Sequence, residues 1–139
     1  MGKVNLPRVI LGGVLAGIVI NLGEFLLNAV VLKVKNEEAM KSLGKTMPEG
    51  GGTMAVWVLW GFAAGIVAVW LYAAIRPRYG AGFGTAVRAG LAVWFLAWFL
   101  SMLVVTNMGL LPFSAVALVW SFVEALLATV AGAFVYREA

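Results

Sequence analysis

The stretch VILGGVLAGIVINLGEFLLNAVVL, residues 9–32, decides how this chain is read. A bilayer core about 30 Å thick is crossed by roughly 20 helical residues, and this run is long enough. It nevertheless carries Asn21, Glu24 and Asn28. Wound as a helix at about 100° per residue, Gly13, Gly17, Asn21, Glu24 and Asn28 share one side. Leu11, Leu15, Ile18, Leu22 and Leu26 take the other. A carboxylate at membrane depth costs about 2.5–3.5 kcal/mol on insertion scales. Glu24 is therefore expected to face other protein or a water-filled cavity, with Asn21 and Asn28 shaping the site.

Working outward, three more apolar runs have the length of a span: residues 54–75, 86–108 and 113–136. None alternates apolar with polar as a barrel strand would. The fold class expected is an all-α membrane protein, a four-transmembrane-helix bundle in one domain. A faint echo runs through it: Leu59-Trp60-Gly61-Phe62 against Val119-Trp120-Ser121-Phe122, with Arg8 and Arg88 opening the first and third runs. Two duplicated helical hairpins would explain the echo, and so would chance in so apolar an alphabet.

Composition agrees. Of 139 residues, 63% are hydrophobic and only 12% charged, about half the charged share of a soluble domain. Cysteine, histidine and aspartate are absent. Disulfides, thiolate or imidazole metal sites and ordinary haem ligation are thereby excluded, so no metal and no cofactor is expected. The net charge of +4 comes from lysines and arginines beside the apolar runs, where they anchor and orient a membrane protein. Nucleic acid is not an expected partner. The lipid bilayer is, together with a homo-oligomer or another membrane protein.

Lys3 and Arg8 before an apolar run mimic a signal peptide, but the run is too long for an h-region and lacks an A-x-A-like site. An uncleaved first span is expected. With both termini cytoplasmic, the inner side holds Lys3, Arg8, Arg76, Arg78, Arg88 and Arg137, against Lys33, Lys35, Lys41 and Lys45 outside. The positive-inside rule favours that orientation, in a bacterial inner membrane.

The connections differ. Residues 33–53 form the only sizeable loop, with a helix start expected at Asn36-Glu37-Glu38, an end at Gly44, and a flexible joint at Gly50-Gly51-Gly52. That helix would lie on the membrane surface; a solvated loop fits equally. Pro77 is expected to stop the second helix. Residues 107–112 are short and uncharged, so the last two helices form a tight hairpin.

Glu124 is the second carboxylate within a span. It shares a side of the last run with Ser121, Ala128, Ala131 and Gly132. It lies at a depth similar to that of Glu24, so the two could meet or share one cavity. Such a pair could exchange a proton with a passing solute. It could also be structural, each carboxyl bonding to a neighbouring helix for about 0.6 kcal/mol on average. Small residues mark the packing faces: Gly13-x-x-x-Gly17, Gly61-x-x-x-Gly65, and Gly90 with Ala86 and Ala97. Trp94, Phe95, Trp98 and Phe99 form the densest aromatic cluster, read as lipid-facing or packing residues.

The first run, with Asn21, Gly23-Glu24-Phe25 and Asn28, and the stretch from Trp70 to Arg78 resemble small bacterial four-helix integral membrane proteins. The resemblance implies a fold and no activity. Similarity to the small multidrug resistance transporters is architectural only. They too have four helices and a glutamate in the first, but here Glu24 lies later in the helix and Glu124 is added. Two functional classes fit: an oligomeric channel or proton-coupled transporter using Glu24, or a non-catalytic accessory subunit of a larger membrane complex. An enzyme is not expected, since only two glutamates within the spans could carry acid–base chemistry.

Overall fold

The computed structural model describes residues 3–138. Four helices are long and apolar enough to cross a membrane: Leu6–Val31, Gly51–Tyr79, Phe83–Asn107 and Ala115–Val135, hereafter the first to fourth spans. A short helix, Lys33–Ser42, follows the first span directly. No strand occurs among the described residues. The protein is an all-α, four-helix membrane bundle.

Local chemistry sets most of the helix ends. Asn5 caps the first span by accepting the Arg8 amide at 3.2 Å, with Pro7 in the first turn. Ser114 caps the fourth by accepting the Ala117 amide at 3.2 Å. Gly44, Gly80 and Gly109 leave their helices with φ of 69°, 83° and 69°, a conformation that suits glycine. Three boundaries depart from expectation. The short helix starts at Lys33 rather than Asn36, whose side chain is bonded elsewhere. Gly51 and Gly52 form the first helical turn instead of a joint. The second span runs through Pro77 to Tyr79, because a proline so near the end removes one bond, and the Gly80 amide still closes on the Arg76 carbonyl at 2.8 Å.

Neighbours in sequence are neighbours in space. The first span packs on the second and fourth, the third packs on the same two, and the second and fourth also meet across the middle. The small residues sit at these crossings. Gly13 abuts Ile66, Gly17 abuts Phe62, and Gly65 lies against the backbone of Gly13 and Gly17. Gly12 meets Gly132 between the first and fourth spans, and Gly90 meets Ala125 and Thr129 between the third and fourth. Lipid tails are as apolar as leucine, so close backbone approach, not apolarity, holds such helices together.

The two ends of the bundle differ. Most of the buried apolar side chains, including Val9, Ala16, Val69, Ala86, Ala89 and Ala128, lie in the half that carries both termini. That end is closed by two tyrosines. Tyr72 and Tyr136 meet edge to face, centroids 5.9 Å apart, and their hydroxyls accept the amides of Gly82 and Asn5 at 3.2 Å each. Arg76 covers the Tyr136 ring and pairs with Glu138 at 3.7 Å. Toward the other end, a cavity lies between the helices.

Candidate functional site

The cavity measures about 550 Å³ and draws its walls from all four spans. It runs from Glu24 to Lys35 and Asn36 on the short helix, so its mouth is at the end bearing residues 33–53. Glu24 lies some seven residues before the end of the first span, about 10 Å below the mouth at 1.5 Å per residue. Trp57, Trp60, Trp98 and Phe113 are the aromatic part of the wall, and Trp60 and Trp98 meet edge to face at 5.1 Å.

Glu24 is held from two directions. The Trp98 indole N–H donates to Oε1 at 2.7 Å, reaching from the third span to the first across the cavity. Asn28 Nδ2 donates to Oε2 at 2.9 Å and also to the Glu24 carbonyl at 3.0 Å. Asn36 Nδ2 then donates to Asn28 Oδ1 at 3.2 Å. A polar ladder thus connects the carboxylate to the short helix. Each carboxylate oxygen accepts one bond and keeps acceptor capacity for a ligand.

Both helices that grip Glu24 are locally unwound. Residues Leu27–Val31 of the first span and Phe95–Phe99 of the third form π turns, and these contain Asn28 and Trp98. π turns are rare and cluster at functional sites, because the extra residue re-aims the side chains around it.

Asn21 lies apart from this site. Its Nδ2 donates to the Val58 carbonyl at 3.2 Å and to the Gly17 carbonyl at 2.9 Å, clamping the first span to the second. Gly61 makes room for it, since a Cβ there would sit 2.6–2.7 Å from the Asn21 carboxamide.

No protein-family model, curated protein or solved structure matches this chain.

Glu124 is brought beside the first span but into different surroundings. It is only 5% exposed and lines a second, apolar cavity between the first and fourth spans. Its carboxylate packs on Gly23, where any Cβ would overlap it. Trp120 bridges the two helices, donating to Glu124 Oε2 and to the Gly23 carbonyl, each at 3.2 Å. Glu124 Oε1 is buried without a partner. Glu24 and Glu124 are therefore near neighbours through Gly23, yet they line separate cavities. Ser121, 1% exposed, accepts from the Trp94 indole at 3.1 Å and donates to the Leu118 carbonyl, which ties the third span to the fourth.

Sequence reasoning missed Trp98, Trp120 and Gly23. The aromatic cluster of residues 94–99 and the Trp60–Trp120 echo were the available signals, but neither indicates which indole faces a carboxylate.

Proposed function

We propose that the protein is a proton-coupled transporter for a small cationic solute, with Glu24 as the exchange site. One observation carries the reading: a cavity open at one end, walled by tryptophans, whose deepest ionisable group is a carboxylate, above a half-bundle closed by packed glycines and the tyrosine pair. A carrier caught open to one side has this shape, whereas a channel requires a continuous path. The tryptophan faces favour a cation near Glu24, and the carboxylate supplies its counter-charge. A proton and a cation competing for one carboxylate are coupled by that competition alone. The orientation proposed is termini inside, in a bacterial inner membrane, so that the cavity opens outward. The alternative, an accessory subunit, would need its small-residue stripes free for neighbours; here they pack within the chain.

The test is flux. Protein in vesicles loaded with a pH-sensitive dye is challenged with sodium, potassium or methylammonium salts. Wild type is expected to move protons in response to at least one cation. Glu24→Gln should stay folded, judged by tryptophan emission, and lose that response. Persistence of cation-driven proton movement in Glu24→Gln, or its absence from wild type with all three cations, would overturn the proposal.

A further inference from the structure

We infer that the turn joining the second and third spans holds a binding site for one phospholipid with an anionic headgroup, its phosphate seated on Arg78 and Arg88. Two cations meet there on one aromatic ring. The Arg88 guanidinium carbon lies 5.1 Å from the centre of the Tyr79 ring, and that of Arg78 lies 6.0 Å from it. All three residues are exposed, so a ligand can reach them.

The turn is built to bring them together. Gly80 and Gly82 take φ of 83° and 124°, which lets the chain reverse between the two spans. The buried Thr85 hydroxyl donates to the Gly80 carbonyl at 2.7 Å, and the Gly82 amide donates to the Tyr72 hydroxyl at 3.2 Å. Arg88 comes from deeper in the third span. Its Nη1 lies 3.6 Å from the point that a Gly84 Cβ would occupy, so the guanidinium reaches back toward the start of the helix.

Neither cation has an acidic side chain to match it. The sequence has six. Glu24 and Glu124 lie within the first and fourth spans, and Glu37, Glu38 and Glu49 belong to the opposite end. Glu138 is at this end and pairs with Arg76. The face of Tyr79 attracts a cation but carries no net charge.

Depth decides what supplies the counter-charge. The helix of the second span has 29 residues, about 43 Å at 1.5 Å per residue. A bilayer with its headgroups measures about 40–45 Å. Tyr79, the last residue of that helix, therefore stands at headgroup level, where phosphates lie. A guanidinium holds a phosphate through two parallel N–H···O bonds. Leu91 and Phe95 follow Arg88 on the same face of the third span and are exposed to lipid, so an acyl chain descending from that phosphate meets an apolar wall. A zwitterionic lipid brings its own cation and leaves the arginines unmatched. A free phosphate uses only the head of the site. Binding here does not depend on transport through the central cavity.

The experiment counts retained lipid. Protein reconstituted in equal parts of phosphatidylglycerol and phosphatidylcholine is extracted in mild detergent, and native mass spectrometry identifies the lipid that stays bound. Wild type should retain one phosphatidylglycerol, preferred over phosphatidylcholine by at least about tenfold, the scale expected of two arginines at an anionic surface. The double variant Arg78→Gln, Arg88→Gln changes only exposed side chains. It should keep the tryptophan emission of wild type and lose the preference. Arg88→Lys alone keeps the charge but not the planar fork, and should weaken the preference by at least about threefold. Lys41→Gln with Lys45→Gln removes the same charge from the opposite end and should leave the preference intact. Millimolar glycerol phosphate should not displace the bound lipid. An unchanged preference in the arginine double variant or in Arg88→Lys, an equal loss in the lysine double variant, or displacement by glycerol phosphate would overturn the proposal.

Discussion

Gly65→Ala adds one methyl group where the backbones of the first and second spans touch. A Cβ built on Gly65 would lie 2.6 Å from the Gly13 carbonyl oxygen and 2.9 Å from the Gly17 Cα, and would overlap the Gly17 amide nitrogen. Ordinary contact begins near 3.4 Å. The first and second spans would have to separate by up to about 1 Å, because the obstructing atoms are backbone and cannot rotate aside. Overpacking of this kind costs about 1–3 kcal/mol. The upper half of that range is expected, since the same shift loosens Gly13 on Ile66 and Gly17 on Phe62. A loss of about 2–3 kcal/mol lowers the folded-to-unfolded ratio by roughly 30- to 150-fold. The control is Val67→Ala on the same helix, where the side chain is 51% exposed toward lipid. Removing those methyls exchanges one apolar contact for another and should cost under about 0.5 kcal/mol. Unfolding in mixed micelles of mild detergent and dodecyl sulfate, followed by circular dichroism, measures both. If Gly65→Ala unfolds at the same detergent fraction as Val67→Ala, the assigned crossing is wrong.

Trp98→Phe keeps an aromatic ring, though a smaller one, and removes the donor to Glu24; it should cost at least about 1–1.5 kcal/mol in the same assay and slow cation-driven flux. Trp94→Phe, whose indole bonds Ser121 instead, should cost stability and leave flux intact; equal flux loss in the two variants would refute the role given to Trp98. Reporters fused at the C-terminus and inserted near Lys41 should lie on opposite sides of the membrane, with the C-terminal one inside. Both on one side would contradict the three spans between them.

Much of the site was legible in part. Glu24 and Asn28 stand out in the first span because polar atoms in hydrocarbon are costly, and the structure joins them through a 2.9 Å bond. The helical period placed Asn21 on the same side, but a shared side does not decide which neighbour is touched; Asn21 reaches Val58 across the first crossing. Glu124 was visible for the same reason as Glu24. Its separation into another cavity was not, because that depends on the bare surface of Gly23 and the position of Trp120.

The sequence by itself determined the membrane class, the number of spans, the glycines at the crossings and the two costly carboxylates. Each follows from one-dimensional properties: length of apolar run, absence of charge, and size of side chain at helical spacing. The tertiary structure alone decided that Trp98, 74 residues from Glu24, is its partner, that π turns aim both helices at it, and that the bundle is closed at one end and open at the other. The reason lies in the solvent. In water an apolar residue signals burial, but in lipid an apolar residue is equally stable facing the bilayer or another helix, so helix neighbours are set by backbone fit and hydrogen bonds that only the assembled bundle displays.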